Sequence, residues 1–281
     1  MNDWTNYDPC RRISNTDTYD GAVSQVIRLS NDDLLLFYHQ SDIGHVAPDG
    51  RIVMRRSTDD GQTWSDQRTI HDEPTRDIID PSVTYHASSE RIVLFDTAFG
   101  FAESVTSPAD LETLPARKNF DTYMLSSTDM GRSWSEPTKM TTHLLGDQII
   151  PFGGGVETEA GLLSFFYSLE HDIQALVSEN GGDTWNRHIF VTDSPTGREL
   201  CEPVPCVITK DRCLLFGRDN QTGDFYAIKS TDGGLTWGEP VFFNPTEATN
   251  PRPIWVTKTG PNRLTAVWGD RDNQYISAVT T

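Results

Sequence analysis

Little in this chain is cationic and very little of it is sulfur. Cysteine occurs four times in 281 residues, at Cys10, Cys201, Cys206 and Cys213. That is too few for a disulfide framework, and "CEPVPC" lacks the C-x-x-C spacing of a zinc or redox site. The thiols are expected to be free, with a Cys201–Cys206 bridge as the alternative. Lysine numbers 5 against 18 arginines, while Asp and Glu total 41, for a net charge of -18. No basic stripe exists, which argues against nucleic acid as a partner. No apolar run approaches the roughly 18 residues of a membrane span. The longest, such as "LLLFY" at 34–38, have the length of a single strand, so membrane insertion is not expected. The N-terminal "MNDWTNYDPCRRISN" is polar and acidic, unlike a signal peptide. The expected locations are cytoplasmic, virion-associated, or secreted after trimming. The negative charge is spread along the chain, which keeps it soluble and opposes compaction at low ionic strength. Such a surface suits either a high-salt protein or an ordinary acidic domain.

What the chain has in abundance is repetition. "STDDGQTWSDQ" begins at Ser57, "STDMGRSWSEP" at Ser127, "SENGGDTWNRH" at Ser178 and "STDGGLTWGEP" at Ser230, spaced by 70, 51 and 52 residues. A strand-like run precedes each copy: "RIVMRR", "DTYMLS", "IQALV" and "FYAIK". Further upstream lie pairs of alternating runs around a polar turn, such as "SQVIRLSNDDLLLFYH", "PSVTYHASSERIVLFD" and "PVPCVITKDRCLLFG". Alternation broken by Asn, Asp, Gly and Ser predicts antiparallel strands and turns. A unit of four strands over about 50 residues is a propeller blade.

Five such pairs open near Ala22, Pro81, Gly154, Glu202 and Pro251. The spacing predicts a single all-β domain over 1–281, a five-bladed β-propeller. Six blades would require the insert 99–120 to hide extra strands. The last unit ends at "NQYISAVTT" without a fourth strand, which the N-terminal "WTNYDPCRRIS" is expected to supply, closing an edge.

In the repeated phrase, Ser and Asp side chains bond nearby backbone and hold a turn. Gly61, Gly131, Gly182 and Gly234 tolerate positive φ. Trp64, Trp134, Trp185 and Trp237 bury a large apolar face. A catalytic group is not needed four times around one ring, so the phrase reads as a staple that holds its hairpin.

Chemistry is expected at one mouth of the central tunnel. The loops leading into the inner strands carry Asp20, Arg76 with Asp80, the "FGGG" at 152–155, Glu202, and Arg252 in "NPRPIW". The loops after the second strands carry His39, Gln40, Asp42 and His45, then Asp96, then Tyr167, Glu170 and His171, then Arg218 and Asp219, then Asp270 and Arg271. Charges recurring at equivalent places in successive blades converge near the axis. No spacing among them specifies a metal, and no cofactor is expected.

The four phrases match the Asp-box, or BNR, repeat, and the chain resembles the sialidase (neuraminidase) superfamily over nearly its whole length. The resemblance implies a propeller with a carbohydrate-facing cleft at one end of the axis. It implies three arginines that clamp the substrate carboxylate, a bidentate task suited to guanidinium. It also implies a Tyr nucleophile activated by a Glu, and an Asp from a first-blade loop as acid/base. "CEPVPCVITKDRCLLFGRDNQTGDFYAIKSTDGG" is similar to the stretch that carries the Glu and one clamp arginine, which maps onto Glu202 and Arg218. "HQSDIGHVAPDGRIVMRRS" resembles the acid/base loop, where Asp42 is preferred over Asp49 because "PDG" reads as a plain turn. Arg252 would serve as a further clamp.

Two departures bear on activity. The family opens its first inner strand with Arg-Ile-Pro, whereas this chain has "GAVSQVI", and Arg11 and Arg12 lie about ten residues earlier. Where the family places its Tyr, this chain has "NPRPIW", and Tyr275 falls within an expected third strand. Three readings follow. The first is a sialidase-like glycosidase for an acidic or unusual glycan, with Asp42, Asp80 or Glu202 as acid and base. Arg218, Arg252, Arg76, His45, His171 and Arg271 would line its substrate site. The second is a non-catalytic sugar-binding, host-recognition propeller. The third is a protein-interaction propeller, which aromatics exposed on the insert would favour.

Overall fold

The computed structural model describes residues 13, 18–102, 104–111, 117–140, 149–244, 252–270 and 275–280. They form five antiparallel sheets in chain order. Blade 1 comprises β1 (Tyr19–Arg28), β2 (Leu34–Ser41), β3 (Arg51–Ser57) and β4 (Arg68–Asp72). Blade 2 comprises β5 (Asp77–His86), β6 (Arg91–Phe101), β7 (Arg117–Ser127) and β8 (Thr138–Lys139). Blade 3 comprises β9 (Ile149–Thr158), β10 (Gly161–Ser168), β11 (Ile173–Ser178) and β12 (Arg187–Thr192). Blade 4 comprises β13 (Leu200–Thr209), β14 (Arg212–Asp219), β15 (Phe225–Ser230) and β16 (Val241–Phe243). Blade 5 comprises β17 (Trp255–Gly260), β18 (Arg263–Asp270) and β19 (Tyr275–Thr280). The protein is thus a five-bladed β-propeller. The insert adds no blade: it lengthens the β6–β7 hairpin and adds one 3-10 turn, Pro108–Leu111. The N-terminal closing strand lies outside the described residues, apart from Ile13.

The middle strands β6 and β10 are buried on both faces because blades 2 and 3 are each sandwiched between neighbours. In β10 (GLLSFFYS) six of eight residues are buried, which explains its continuous apolar reading. The inner strands β1, β5, β9, β13 and β17 contact one another in that order.

The repeated phrase joins blades as well as closing a hairpin. Within one copy, Gly61 N donates to Ser57 Oγ at 2.8 Å, Ser57 Oγ donates to Asp59 at 2.8 Å, and Thr63 N donates to Asp59 at 2.8 Å. Hydrogen bonds from Thr63 and Ser57 hold the Asp59 carboxyl down at about 2. Asn180 fills the Asp position of the third copy and donates to Thr184 at 2.9 Å instead. The tryptophan then reaches across to the preceding blade. Trp134 meets Phe37 of β2 at 5.7 Å, Trp185 meets Phe95 of β6 at 5.1 Å, and Trp237 meets Phe165 of β10 at 5.7 Å, all edge to face. Gly234, at φ 89°, packs so closely that a Cβ would lie 2.4 Å from Leu163 Cδ2 of the preceding blade. The expected role was hairpin closure alone; single-chain spacing cannot show that the apolar face of the turn belongs to a neighbour.

Inner strands also begin earlier than their Gly and Pro residues suggest. β5 starts at Asp77 and β13 at Leu200, and each continues through a bulge at Asp80–Pro81 or Glu202–Pro203. β1 bulges near Val23 and β9 at Gly153 and Gly154.

Trp185, at 5% exposure, offers a direct test of the blade-to-blade contact. Trp185→Ala is expected to lower the unfolding free energy by about 3–5 kcal/mol, and Gly234→Ala is expected to destabilise through the Leu163 clash and the positive φ. Urea unfolding measures both. An unchanged midpoint for Trp185→Ala would mean that the blades do not depend on this contact.

Candidate active site

Antiparallel pairing sets the start of each inner strand beside the end of its second strand; Cys201, for example, pairs with Arg218. Side chains from both sets therefore gather at one end of the blades. Asp80 and Glu202 occupy equivalent bulges in blades 2 and 4, at φ 58° and 56°. Positive φ is uncommon for non-glycine residues, and a following proline disfavours helical backbone further. Strain of this kind concentrates at functional sites, and bulges re-aim side chains there.

The two carboxyls have different surroundings. Glu202 is gripped bidentately by Arg218: Nη2 donates to Oε1 at 3.0 Å and Nε donates to Oε2. Both side chains are largely buried, at 13% and 12% exposure. Burial works against the Arg218 charge, but the Glu202 hydrogen bond and charge override it and hold the guanidinium protonated. Asp80 makes no hydrogen bond or ion pair among the described residues. Burial, then the negative charge of Glu202, push its carboxyl up to about 7, while Arg117 and His39 pull the other way.

Around this pair the network extends outward. Arg218 Nη1 donates to Asn220 Oδ1 at 2.9 Å, Asn220 Nδ2 donates to Glu199 at 3.1 Å, and His171 Nε2 lies 3.8 Å from Glu199. The blade 3 loop carrying His171 thus meets the segment that leads into blade 4 at Glu199. Tyr167 is raised well above its ordinary value by burial and by the charges of Asp80 and Glu202, so it is a neutral phenol. Phe152 stands 6.5 Å from the Tyr167 ring and 6.0 Å from Trp255, joining blades 3 and 5. Cys201, Cys206 and Cys213 are free and buried. Burial and Glu202 raise the Cys201 thiol, which keeps it protonated and poorly nucleophilic.

Other expected site residues are engaged elsewhere. Asp42 is exposed and paired with Arg51 at 3.0 Å, and no contact links it to Asp80 or Glu202. Asp49 accepts from Ser41 Oγ at 2.6 Å and Asp42 N at 2.7 Å, the plain turn its sequence suggests. Arg76 is bound to Glu73 and Asp121, each at 3.0 Å, and to the Ala98 and Asn119 carbonyls, each at 2.7 Å. It borders a cavity of about 660 Å³ shared with Asp49, Phe101 and Lys118. His45 is exposed in the first-blade loop, and Arg252 is exposed immediately before Pro253. Arg271 and the side chains of Asp20 and Asp270 lie outside the described residues.

Two buried histidine–aspartate pairs clasp blade 1 to blade 2. His39 Nε2 donates to Asp77 at 2.8 Å, and Asp77 also accepts from Ala47 N at 3.0 Å. His71 Nδ1 lies 2.8 Å from Asp96. Burial pulls His71 down, but Asp96 and then Glu73 raise it overall. Burial raises Asp96, against the lowering effect of His71. Asp96 and Asp219 are therefore framework groups: Asp219 is fully buried and accepts from Arg198 at 2.8 Å and Glu199 N at 2.9 Å. Among the described residues no group of three or more His, Cys, Asp or Glu could hold a metal.

The sequence reading missed Arg117 and Asn220, and held Phe152 and Trp255 only as members of the FGGG and NPRPIW stretches. The available signal was a dipeptide repeated at equivalent strand positions: Asp80–Pro81, Glu202–Pro203 and Arg252–Pro253.

The raised Asp80 pKa has a thermodynamic consequence. A carboxyl whose folded pKa is about 7 against an ordinary 3.8 binds protons more tightly when folded, so its contribution to stability falls as pH rises from about 4 through 7. Asp80→Asn should abolish this decline, seen as a stability difference from the native protein that grows in the variant's favour between those limits. Parallel pH profiles of the two unfolding midpoints would refute the shift.

The BNR repeat-like domain model matches residues 75–273. A sialidase from Micromonospora viridifaciens is 28% identical over 231 residues, 73% of this chain and 34% of that one; the chain thus spans about a third of that relative's length. Among solved structures, a Dyadobacter fermentans protein of unknown function superposes with a TM-score of 0.76 at 20% identity, covering 94% of this chain and 79% of that one. The NanB sialidase from Streptococcus pneumoniae superposes with a TM-score of 0.69 at 13% identity, covering 96% and 62%. These likenesses support the fold, and the domain match sets the family: the chain belongs to the BNR repeat-like family, within the sialidase-like β-propellers.

Proposed function

We propose that this protein is a sialidase-like glycoside hydrolase that acts on an acidic or unusual glycan at the Asp80–Glu202 end of the axis. The supporting observation is the divergence of two carboxyls on equivalent bulges. Glu202 is ion-paired with Arg218, while Asp80 makes no hydrogen bond or ion pair among the described residues and is raised to about 7. Paired carboxyls in such unlike surroundings divide acid and base roles.

In this reading Asp80, half protonated near neutrality, gives its proton to the leaving glycosidic oxygen as the glycosidic bond breaks. Glu202 faces the positive charge that develops on the sugar. It then either takes a proton from the attacking water or attacks the anomeric carbon itself, depending on how far the two carboxyls stand apart. Tyr167 as a neutral phenol supplies a hydrogen-bond donor rather than a nucleophile. Arg252, on the blade 5 counterpart of the Asp80 and Glu202 positions, is exposed toward an anionic substrate.

A sugar-binding propeller without catalysis is the second reading. It is favoured by the missing Arg-Ile-Pro arginine and by Arg252–Pro253–Ile254 where the family places its Tyr. The protein-interaction reading has lost its support: Phe99 and Phe101 are buried and Phe99 stacks on Phe120 at 5.2 Å, so these aromatics pack into the molecule.

A panel of chromogenic glycosides, assayed in low and high salt, tests the first reading. Asp80→Asn and Glu202→Gln are each expected to reduce kcat by about 10²- to 10⁴-fold, and Asp80→Asn should remove an inflection near pH 7. Turnover surviving both substitutions would discard the assignment. Absent turnover, together with glycan binding abolished by Arg218→Ala, would establish the binding reading instead.

A further inference from the structure

A left-handed aspartate before proline is strained, and it persists only where the backbone on either side is held. At Asp80 two neighbouring blades do the holding. The pairs Ile79–Thr97 and Ser82–Phe95 bracket the bulge, so Asp80 and Pro81 together oppose Asp96 of β6. Past the bulge, Val83 N donates to Gln25 Oε1 at 2.6 Å and Gln25 Nε2 donates to the Val83 carbonyl at 3.1 Å. Gly154 N of blade 3 donates to Ser82 Oγ at 3.1 Å. Before the bulge, Ile79 packs beneath the insert and Asp77 reaches into blade 1.

The Asp77 anchor is built with unusual closeness. Asp77 and His39 are both fully buried, and His39 Nε2 donates to Asp77 Oδ1 at 2.8 Å. The other carboxylate oxygen accepts from Ala47 N at 3.0 Å, and the next residue, Ile78, donates its N–H to the Gly50 carbonyl at 3.0 Å. Room for the pair depends on Gly50, where a Cβ would lie 1.6 Å from Asp77 Oδ1 and 2.6 Å from His39 Nε2. The imidazole itself is left half satisfied, since Nδ1 is buried with no hydrogen-bond partner among the described residues. A buried polar atom without a partner is destabilising, so an apolar contact would clasp the blades more firmly. What an apolar contact lacks is direction. The hydrogen bond ties a chosen atom at the start of β5 to a chosen atom of β2, three residues ahead of the bulge.

We propose that His39 is a positioning residue: by holding Asp77 against blade 1 it fixes the start of β5, and so the direction in which the bulge presents Asp80. The assignment rests on the glycosidase reading for what Asp80 does, but not for how Asp80 is held. His39 is too deeply buried to touch a substrate. It acts through Asp77 and three residues of backbone, and Gln25 holds the far side of the same bulge.

The test compares His39→Ala, His39→Gln and Trp134→Ala on the full chain. Each is assayed with the chromogenic glycosides and by NMR titration of the Asp80 carboxyl carbon, assigned by its loss in Asp80→Asn. His39→Ala should lower kcat about 100-fold with KM within about twofold. It should also move the Asp80 titration down from about 7, because the released bulge turns the carboxyl toward water. His39→Gln still donates to Asp77 but carries no charge; it should recover most of kcat and hold the titration at or above its native position. Trp134→Ala loosens the same seam at its Phe37 contact. It should lower the urea midpoint and leave kcat and the titration unchanged. Should His39→Ala not fold, His39→Asn, whose amide falls short of Asp77, takes its place with the same expectations. An upward shift with kcat retained would mean that His39 acts on Asp80 by charge alone, and overturns the proposal. Equal losses in Trp134→Ala, or no recovery in His39→Gln, overturn it too. If no glycoside is turned over, the titration decides. A downward shift that His39→Gln reverses keeps this proposal while the glycosidase reading falls, and an unchanged titration sinks this one.

Discussion

The edge-to-face contact between a turn tryptophan and the phenylalanine of the preceding blade fixes how each blade sits against the next. Trp134 on Phe37, Trp185 on Phe95 and Trp237 on Phe165 repeat one geometry at three seams. Such pairs contribute about 0.5–1.5 kcal/mol beyond the area they bury, but their larger effect is directional. A sheet packed on a sheet can rotate and slide, whereas a tryptophan wedged beside a left-handed glycine cannot. With the blade angle fixed, the first residues of β5, β9 and β13 face a common axis, and loops far apart in sequence become neighbours.

The bulges convert that convergence into chemistry. A regular strand would send Asp80 and Glu202 along the normal alternation, toward the packing between blades. A left-handed residue before proline breaks the alternation once, and pairing resumes on the far side. Gly153 follows the same logic in blade 3, where a Cβ would fall 2.2 Å from the Pro203 carbonyl. The glycine there lets the neighbouring backbone carry the acid of blade 4 to its position. The strain at Asp80 and Glu202 is offset by the surrounding sheets, which leave the bulged backbone no other route.

Much of this architecture is legible in the residues themselves. The four tryptophan turns and the strand pairs between them are local patterns, and they place five blades. Glu202 and Arg218 are legible for a similar reason, since one hairpin carries both and pairing alone brings them together. The partner of Glu202 across the axis is not legible in the same way: Asp80 stands 122 positions earlier, and only the closed packing of alternate blades sets the two charges in each other's field. Asp42 has the right residue type and loop, but its carboxylate is turned outward by Arg51, a contact that no spacing foretells. Arg117 is hidden for the opposite reason, because it belongs to an insert without a counterpart in other blades.

The scarcity of cations explains why Asp80 is the group that titrates near neutrality. Arginine is used in this chain mainly to tie carboxylates into fixed pairs, as at Asp33, Asp121, Asp219 and Glu202. Asp80 has no hydrogen bond or ion pair among the described residues and feels the charge of Glu202, which Arg218 only partly cancels. Surface charges beyond a Debye length of about 8–10 Å are screened at physiological salt, so the general acidity of the molecule adds little. The proton affinity of Asp80 is therefore set by two local facts: its burial, and the residual charge of Glu202 that Arg218 leaves uncancelled.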